Sequence, residues 1–446
     1  MKRTVMNELL AWKEDKRRKP LILQGARQVG KTWILREFGK TYYKNVAEFN
    51  FDENPEYKEF FAKTKDGKRI LDNLSIISGT QILPHDTLII FDEIQECPDA
   101  LNSLKYFCEK LPEYHITCAG SYLGIQLARS PFPVGKVNFI SMYPMTFTEF
   151  LQASGDENLS DYLKGIDTIE PIPEAFYNLL YEKIKMYYAT GGMPEVVDSW
   201  TSEHDPKQIQ SISKDILDSY ERDFFKHPTI KDIPKINLIW KSLPSQLAKE
   251  NKKFIYNVIK GGARAREYEN ALQWIVDSGL AYKIYRSEKP GLPLNSYDDL
   301  SAFKIYMLDV GLLRQHSGLS TSAFGEGNRL FTEFKGALTE NYVLQSLMTQ
   351  VQDIPRYWSI ANPNYEVDYM IQIDNDIYPV EVKAETNIKA TSLKKYKELY
   401  DKETKLRIRF SMNNLKLDED VLNIPLFMAD EAVRLIKMVV EEYKLK

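Results

Sequence analysis

Cysteine is scarce: Cys97, Cys108 and Cys118 are the three in a chain of 446 residues. They sit in one short stretch and form no C-x-x-C pair, which excludes a disulfide framework and argues against structural zinc. Long apolar runs are missing as well, none approaching the ~18 residues that a membrane span needs. The amino-terminal MKRTVMNELLAWKEDKRRKP carries charge on both sides of a short apolar patch, unlike a secretion signal. A reducing cytoplasm is the expected compartment, and no membrane partner is expected. Neither charge sign is in excess: 59 Lys and Arg face 63 Asp and Glu, a formal −4. Any nucleic-acid contact must therefore come from a local patch. The chain also has no internal repeat and no low-complexity segment.

What is present is the composition of a globular protein, with 43% hydrophobic and 27% charged residues. At about 150 residues per domain, the length corresponds to roughly three domains. Apolar strands at 20–24, 45–51, 87–91, 114–119 and 137–141 alternate with helical stretches, which predicts an α/β domain with a parallel sheet covered by helices. Residues 155–175 are polar and proline-punctuated and lead into a tyrosine-rich helix ending at Gly191-Gly192. From 207 to 330 the order is three helices and then AYKIYRSE (281–288) and FKIYMLD (303–309), which suits an α-rich winged-helix domain. The remainder reads as a helix (FKGALTENYVLQSLM), a hairpin, a lysine-rich helix and a strand, a small α/β domain. The expected domains are thus 1–200, 207–330 and 331–446.

Residues 25–32, GARQVGKT, fit G-x4-G-K-[ST] between an apolar strand and a helix that starts near Trp33. Gly25 and Gly30 let the backbone curl so that consecutive N–H groups and the helix N-terminus face an anion. The expected nucleotide cradle is Gly25, Ala26, Arg27, Gln28, Val29, Gly30, Lys31, Thr32 and Trp33. Lys31 would reach the β/γ-phosphates and Thr32 would ligate Mg2+. The strand LIIFDE ends in Asp92-Glu93, where Asp92 can hold Mg2+ and Glu93 can polarise the attacking water. The strand HITCA ends at Gly120-Ser121, which would set Ser121 beside the γ-phosphate. No N-K-x-D is present to specify guanine, so ATP is the expected nucleotide.

GARQVGKT, FDEIQ, the strand followed by GS, YPMTFTEFL (143–151) and GGMPE (191–195) resemble the prokaryotic AAA-type ATPases fused to a C-terminal region of unknown function. The resemblance extends through GARAREYENALQWIVDSGL and FKIYMLDVGLL. It implies an ATP-binding P-loop domain, a winged helix and a C-terminal region resembling restriction-endonuclease-type nucleases. Members of this group often carry an arginine after the glycine before YPMTF. This chain has Gly135-Lys136, which keeps the charge but loses the guanidinium fork and weakens the case for an arginine finger; Arg129 is open as a substitute or as a solvated arginine at a helix end.

In YEVDYMIQIDNDIYPVEVKA (365–384), a two-residue turn at Asp374-Asn375 would pair residues whose numbers sum to 749. Asp368 then faces Glu381, with Lys383 on the same side, while Val367, Tyr369, Ile371 and Ile373 meet Tyr378, Val380 and Val382 on the other. Two carboxylates and a lysine are D…E-x-K chemistry: a shared Mg2+ or Mn2+ at Asp368 and Glu381, and a water oriented by Lys383. The resemblance adds Glu340 as a fourth acidic residue of that site. Solvated hairpins also carry outward charges, so a catalytically silent nuclease-like domain stays open.

Between 389 and 409, eight basic residues (Lys389, Lys394, Lys395, Lys397, Lys402, Lys405, Arg407, Arg409) face three acidic ones, a surface for a phosphate backbone or a solvated helix face. The middle helix opens with Arg264 and Arg266, but Glu267 and Glu269 follow, so DNA reading and protein contact both stay open. The sequence thus predicts a Mg2+-dependent, ATP-hydrolysing switch joined to a nucleic-acid-binding or nuclease-like domain. The alternative is a signalling ATPase whose silent C-terminal domain recognises a protein. DNA, RNA, a protein partner and self-assembly all stay open as partners.

Overall fold

The computed structural model describes residues 1–121, 135–225, 231–249, 253–321, 329–361, 364–384 and 391–442. They form two compact units, Met1–Tyr143 with Asp277–Leu280, and Pro144–Val276 with Ala281–Lys446. The boundary expected near residue 200 falls inside the second unit.

The first unit runs α1 (Val5–Glu14), β1 (Leu21–Gln24), α2 (Lys31–Tyr42), β2 (Asn45–Asn50), α3 (Lys58–Lys63), α4 (Gly67–Ser78), β3 (Thr87–Asp92), α5 (Pro98–Lys110), β4 (His115–Ala119) and β5 (Asn138–Ser141). Its strands pair in parallel in the order β2-β3-β4-β1-β5. Every residue of β3 and β4 is buried, as central strands covered on both faces require. Helix α4 begins where the Asp66 carboxylate accepts from the Lys68 N–H, and α5 begins with Pro98 in its first turn, where a missing N–H costs nothing. Ile22, Phe49, Phe91, Leu101, Leu104, Phe107 and Ile116 share one core. Removing a ring such as Phe91 from that core would cost about 3–5 kcal/mol. The strand order places the candidate site: β4 lies between β1 and β3, so the residues after all three emerge side by side on one edge.

The second unit begins with helices α6 (Phe147–Ala153), α7 (Glu157–Lys164), α8 (Glu174–Thr190), α9 (Pro194–Glu203), α10 (Pro206–Asp223), α11 (Ile233–Leu247), α12 (Tyr256–Ile259) and α13 (Ala265–Asp277). It continues β6 (Ala281–Ser287), β7 (Asp298–Met307), α14 (Val310–His316), α15 (Arg329–Leu347), β8 (Arg356–Ile360), β9 (Tyr365–Ile373), β10 (Asp376–Val382), α16 (Thr391–Leu399), β11 (Arg407–Ser411), β12 (Lys416–Asp418), β13 (Val421–Pro425) and α17 (Ala432–Glu442). Its eight described strands form one sheet, β12-β13-β11-β10-β9-β8-β6-β7. The antiparallel β6–β7 pair, the two β-rich stretches of the expected 207–330 domain, forms the edge of this sheet, with β6 parallel to β8 at Arg286↔Tyr357. Residues 302–307 of β7 are all buried, so this end of the strand is covered on both faces.

The β9–β10 register runs from Ile373↔Asp376 to Tyr369↔Val380, each pair summing to 749, and Asp374 adopts the left-handed conformation (φ +53°) that such a turn favours. Its outward face is not solvated throughout. Met370 and Ile377 pack there with Trp358 and with Leu393 and Tyr396 of α16, so that face is apolar toward the turn and polar at the opposite end.

Three of the sequence motifs meet at a buried joint in this unit. The Asp309 carboxylate accepts from the N–H groups of Gly192 (2.6 Å) and Leu312 (2.9 Å) and from the Gln345 amide (3.2 Å). Met145 N–H donates to Gly192 O at 2.6 Å, and a Cβ on Gly192 would lie 2.1 Å from Met145 O. YPMTF, GGMPE and LDVGLL therefore share a packing reason.

Candidate functional site

The loop after β1 has the curled backbone that its glycines permit: φ is +151° at Gly25, +68° at Gln28 and +94° at Gly30, the residue before α2. A Cβ on Gly25 would stand 2.2 Å from Met142 O, so no other residue fits. Val29 is buried, and Trp33 is 43% exposed one residue after Thr32. Lys31 is buried, its Nζ folded back on its own loop and donating to Gly25 O (2.9 Å) and Ala26 O (2.8 Å). Burial brings its ammonium down to about 8, against the pull of Glu93 and Asp92.

Across the edge, Thr32 Oγ1 donates to Asp92 Oδ1 at 3.0 Å, and Asn50 Nδ2 approaches Asp92 Oδ2 at 3.4 Å. Burial pushes the Asp92 carboxyl up to about 6, though the Thr32 hydrogen bond pulls it down. Glu93 sits in the left-handed region (φ +47°), and its Oε2 accepts from the Ser121 N–H (3.5 Å) and from the Gln95 side-chain amide. Ser121 meets Glu93 through its backbone N–H and not through its side chain. The paired hard oxygens of Thr32 and Asp92 fit Mg2+ well. Two further residues, neither given a role from the sequence, contribute to the site. Gln95 orients Glu93, and Arg3 donates from Nη1 to Val29 O (3.0 Å) and from Nη2 to Tyr143 O (2.6 Å). Charges near an amino terminus read as solvent-facing, so no sequence signal marks Arg3.

In the second unit the D…E-x-K residues gather. Glu381 is 2% exposed, with Oε1 3.2 Å from Lys383 Nζ. Its Oε2 lies 3.8 Å from Arg409 Nε, and neither atom has a hydrogen-bond partner among the described residues. Asp368 Oδ2 accepts from the Val382 N–H at 2.8 Å. Burial lowers the Lys383 ammonium, but Glu381 and Asp368 outweigh it and hold it above its ordinary value. Glu340 on α15 accepts from the Tyr306 hydroxyl at 3.2 Å, and Tyr369 OH donates to its backbone carbonyl at 2.8 Å. A residue missed by sequence reasoning joins them: Lys304 of β7, fully buried, donates to Glu366 Oε1. A lone lysine inside AFKIYM was its only signal.

Whether these carboxylates suit a divalent ion follows from their partners. Glu381 faces Lys383 and Arg409, Glu366 holds Lys304, and Asp368 is bonded to a backbone amide. Among the described residues, no three His, Cys, Asp or Glu side chains converge as metal ligands. The cluster already carries its own cations, so it does not fit a resident metal.

The remaining expected features are less free than the sequence suggests. Lys136 pairs with Glu109 at 2.8 Å, and Arg129 lies outside the described residues. In the basic stretch, Lys395 pairs with Glu398, Lys397 with Asp401, Lys405 with Asp376 and Arg407 with Asp420. Lys389 lies outside the described residues. Pairing of this kind leaves less positive field for a phosphate backbone. In α13 the buried residues are Tyr268, Ala271, Leu272, Trp274 and Ile275, with Val276 only half-buried.

Comparison with known families matches residues 17–151 to the family described as "AAA domain". Residues 181–323 match "Domain of unknown function (DUF8612)", and residues 335–427 match "Domain of unknown function (DUF4143)". No curated protein matches. Among solved structures, the chain is similar to the Walker-type ATPase PABY2304 of Pyrococcus abyssi at 14% identity and TM-score 0.44, over 70% of this chain and 94% of that one. It is similar to a single-substitution variant of RuvB from Thermotoga maritima at 12% identity and TM-score 0.31, over 64% and 89%. It is also similar to PCH-2 of C. elegans at 13% identity and TM-score 0.27, over 45% and 62%.

Proposed function

Starting from an AAA-type P-loop domain at residues 17–151, we propose that this chain binds Mg·ATP, hydrolyses it, and uses the cycle to switch a second unit that serves as a binding module for a protein partner. The observation that carries the ATPase reading is the Thr32 Oγ1–Asp92 Oδ1 contact at 3.0 Å, which joins the phosphate loop to the acid pair. Lys31 exchanges the carbonyls of Gly25 and Ala26 for the β/γ-phosphates, and the first amides of α2 face the same oxygens. Thr32 and Asp92 would hold Mg2+, which when bound would neutralise phosphate charge. Glu93, oriented by Ser121 N–H and Gln95, takes the proton of the attacking water as the bond from the γ-phosphorus to the leaving ADP oxygen breaks. Phosphate release by the purified full-length protein should require Lys31, and undiminished turnover in Lys31→Ala would refute the assignment.

For the second unit, the internal pairing of its carboxylates supports the binding-module reading. Convergence of Asp368, Glu381 and Lys383 favours a second reading, metal-dependent cleavage of DNA or RNA. Incubation with linear DNA and RNA in Mg2+ or Mn2+, beside Glu381→Ala, separates them: cleavage lost in the variant supports the nuclease, and equal background supports the silent module.

A further inference from the structure

Strand β7 carries one charged side chain through its buried end, Lys304, between Phe303 and Ile305. Its ammonium has no solvent exposure, donates to Glu366 Oε1, and stands 4.8 Å from the centre of the Tyr357 ring. Glu340 and Asp368 act on it as well. A buried ammonium is tolerated only where anions surround it, and a nest of buried carboxylates only where cations do. Here Lys304 and Glu366 meet that condition as a hydrogen-bonded pair. Glu340, Glu366, Asp368 and Glu381 are met by Lys304, Lys383 and Arg409, all within the second unit.

We propose that Lys304 is the resident cation of this cluster, filling the charge role that a divalent metal would otherwise take, so that the cluster is a metal-independent joint between β7 and the α15, β9 and β10 elements. A metal entering the cluster would have to displace an ammonium that has no solvent exposure and is hydrogen-bonded to Glu366. The Glu366 carboxylate that accepts from it supplies the countercharge that a buried ammonium needs. The inference rests on the binding-module reading of the second unit and is independent of the ATPase.

The test is a MnCl2 titration of nucleotide-free, full-length protein, with free Mn2+ followed by electron paramagnetic resonance. Wild type and Glu381→Gln should give the same isotherm. Lys304→Met should gain Mn2+ binding about 10-fold or more tighter than wild type, because a like charge has left the carboxylates. Adding Glu381→Gln to Lys304→Met should remove the gain. The proposal is overturned if wild type holds Mn2+ that Glu381→Gln releases, or if Lys304→Met folds with wild-type stability and gains no site. If Lys304→Met does not fold with or without Mn2+, the comparison of wild type with Glu381→Gln decides alone. Glu381-dependent Mn2+ binding without cleavage of DNA or RNA sinks this inference but leaves the binding module standing; with cleavage, both fall.

Discussion

The Arg3 guanidinium donates to the carbonyl oxygen of Tyr143 at 2.6 Å, across 140 positions of chain, while its other arm holds the phosphate loop at Val29 O (3.0 Å). Tyr143 is the last residue of the stretch that opens the first unit, and two positions on, the Met145 backbone is bonded to Gly192 O within the second. One side chain thus ties the loop to the segment through which the chain leaves its domain.

Arg3→Met should strand two carbonyls in poorly hydrated surroundings and destabilise the first unit by about 2–3 kcal/mol. KM for ATP should rise more than kcat falls, because the loop is loosened and no reacting group is lost. Arg3→Lys should rescue only in part, since an ammonium cannot span both acceptors. Urea melts and nucleotide titration check this; unchanged ATP affinity in Arg3→Met would remove Arg3 from the site.

Replacing Glu93 by Gln keeps the shape that Ser121 and Gln95 surround and removes the base. Phosphate release should fall about 100- to 10,000-fold while ATP binding persists. Single-turnover phosphate release beside a nucleotide-binding titration distinguishes this from a misfolded loop.

Affinity for Mg·ATP should peak between about pH 6 and pH 8. Below that window Asp92, with its carboxyl pushed up to about 6, takes a proton and gives up Mg2+; above it Lys31, brought down to about 8, loses the charge that meets the phosphates. In the nucleotide-free protein, an acid whose folded value exceeds its unfolded 3.8 takes up protons on folding, so stability falls as pH rises from about 4 to 6. Asp92→Asn should therefore stabilise the free protein at pH 7, by about 3 kcal/mol at most, while abolishing the acidic limb of the binding profile. Calorimetric titration across pH reads both.

Asp309→Ala should strand the N–H groups of Gly192 and Leu312 and the Gln345 amide within the second unit. A loss of about 3–5 kcal/mol is expected, with Asp309→Asn milder because one acceptor oxygen remains. Chemical denaturation of purified protein measures it, and a loss below about 1 kcal/mol would show that water replaces the carboxylate.

The phosphate loop and the hairpin are legible in the sequence for the same reason: each is a local object. GARQVGKT places its glycines where one turn needs them, and Asp374-Asn375 sets a register that alternation carries to Asp368 and Glu381. Solvation was harder to read. Period-2 alternation reports which residues share a face but not what covers it, so the packing of α16 over Met370 and Ile377 stays invisible until Leu393 and Tyr396 arrive from downstream.

By itself, the sequence determined the nest around Lys31, the acids after β3 and the pairing of the D…E-x-K hairpin, because backbone conformation and side-chain period are set by neighbours along the chain. Tertiary structure alone decided that β4 runs between β1 and β3, that β6 and β7 join the carboxyl-terminal sheet, that Arg3 grips Val29 and Tyr143, and that Lys304 meets Glu366. Those contacts join residues dozens to more than a hundred positions apart, and the burial and charge balance that select them exist only once the sheets have formed.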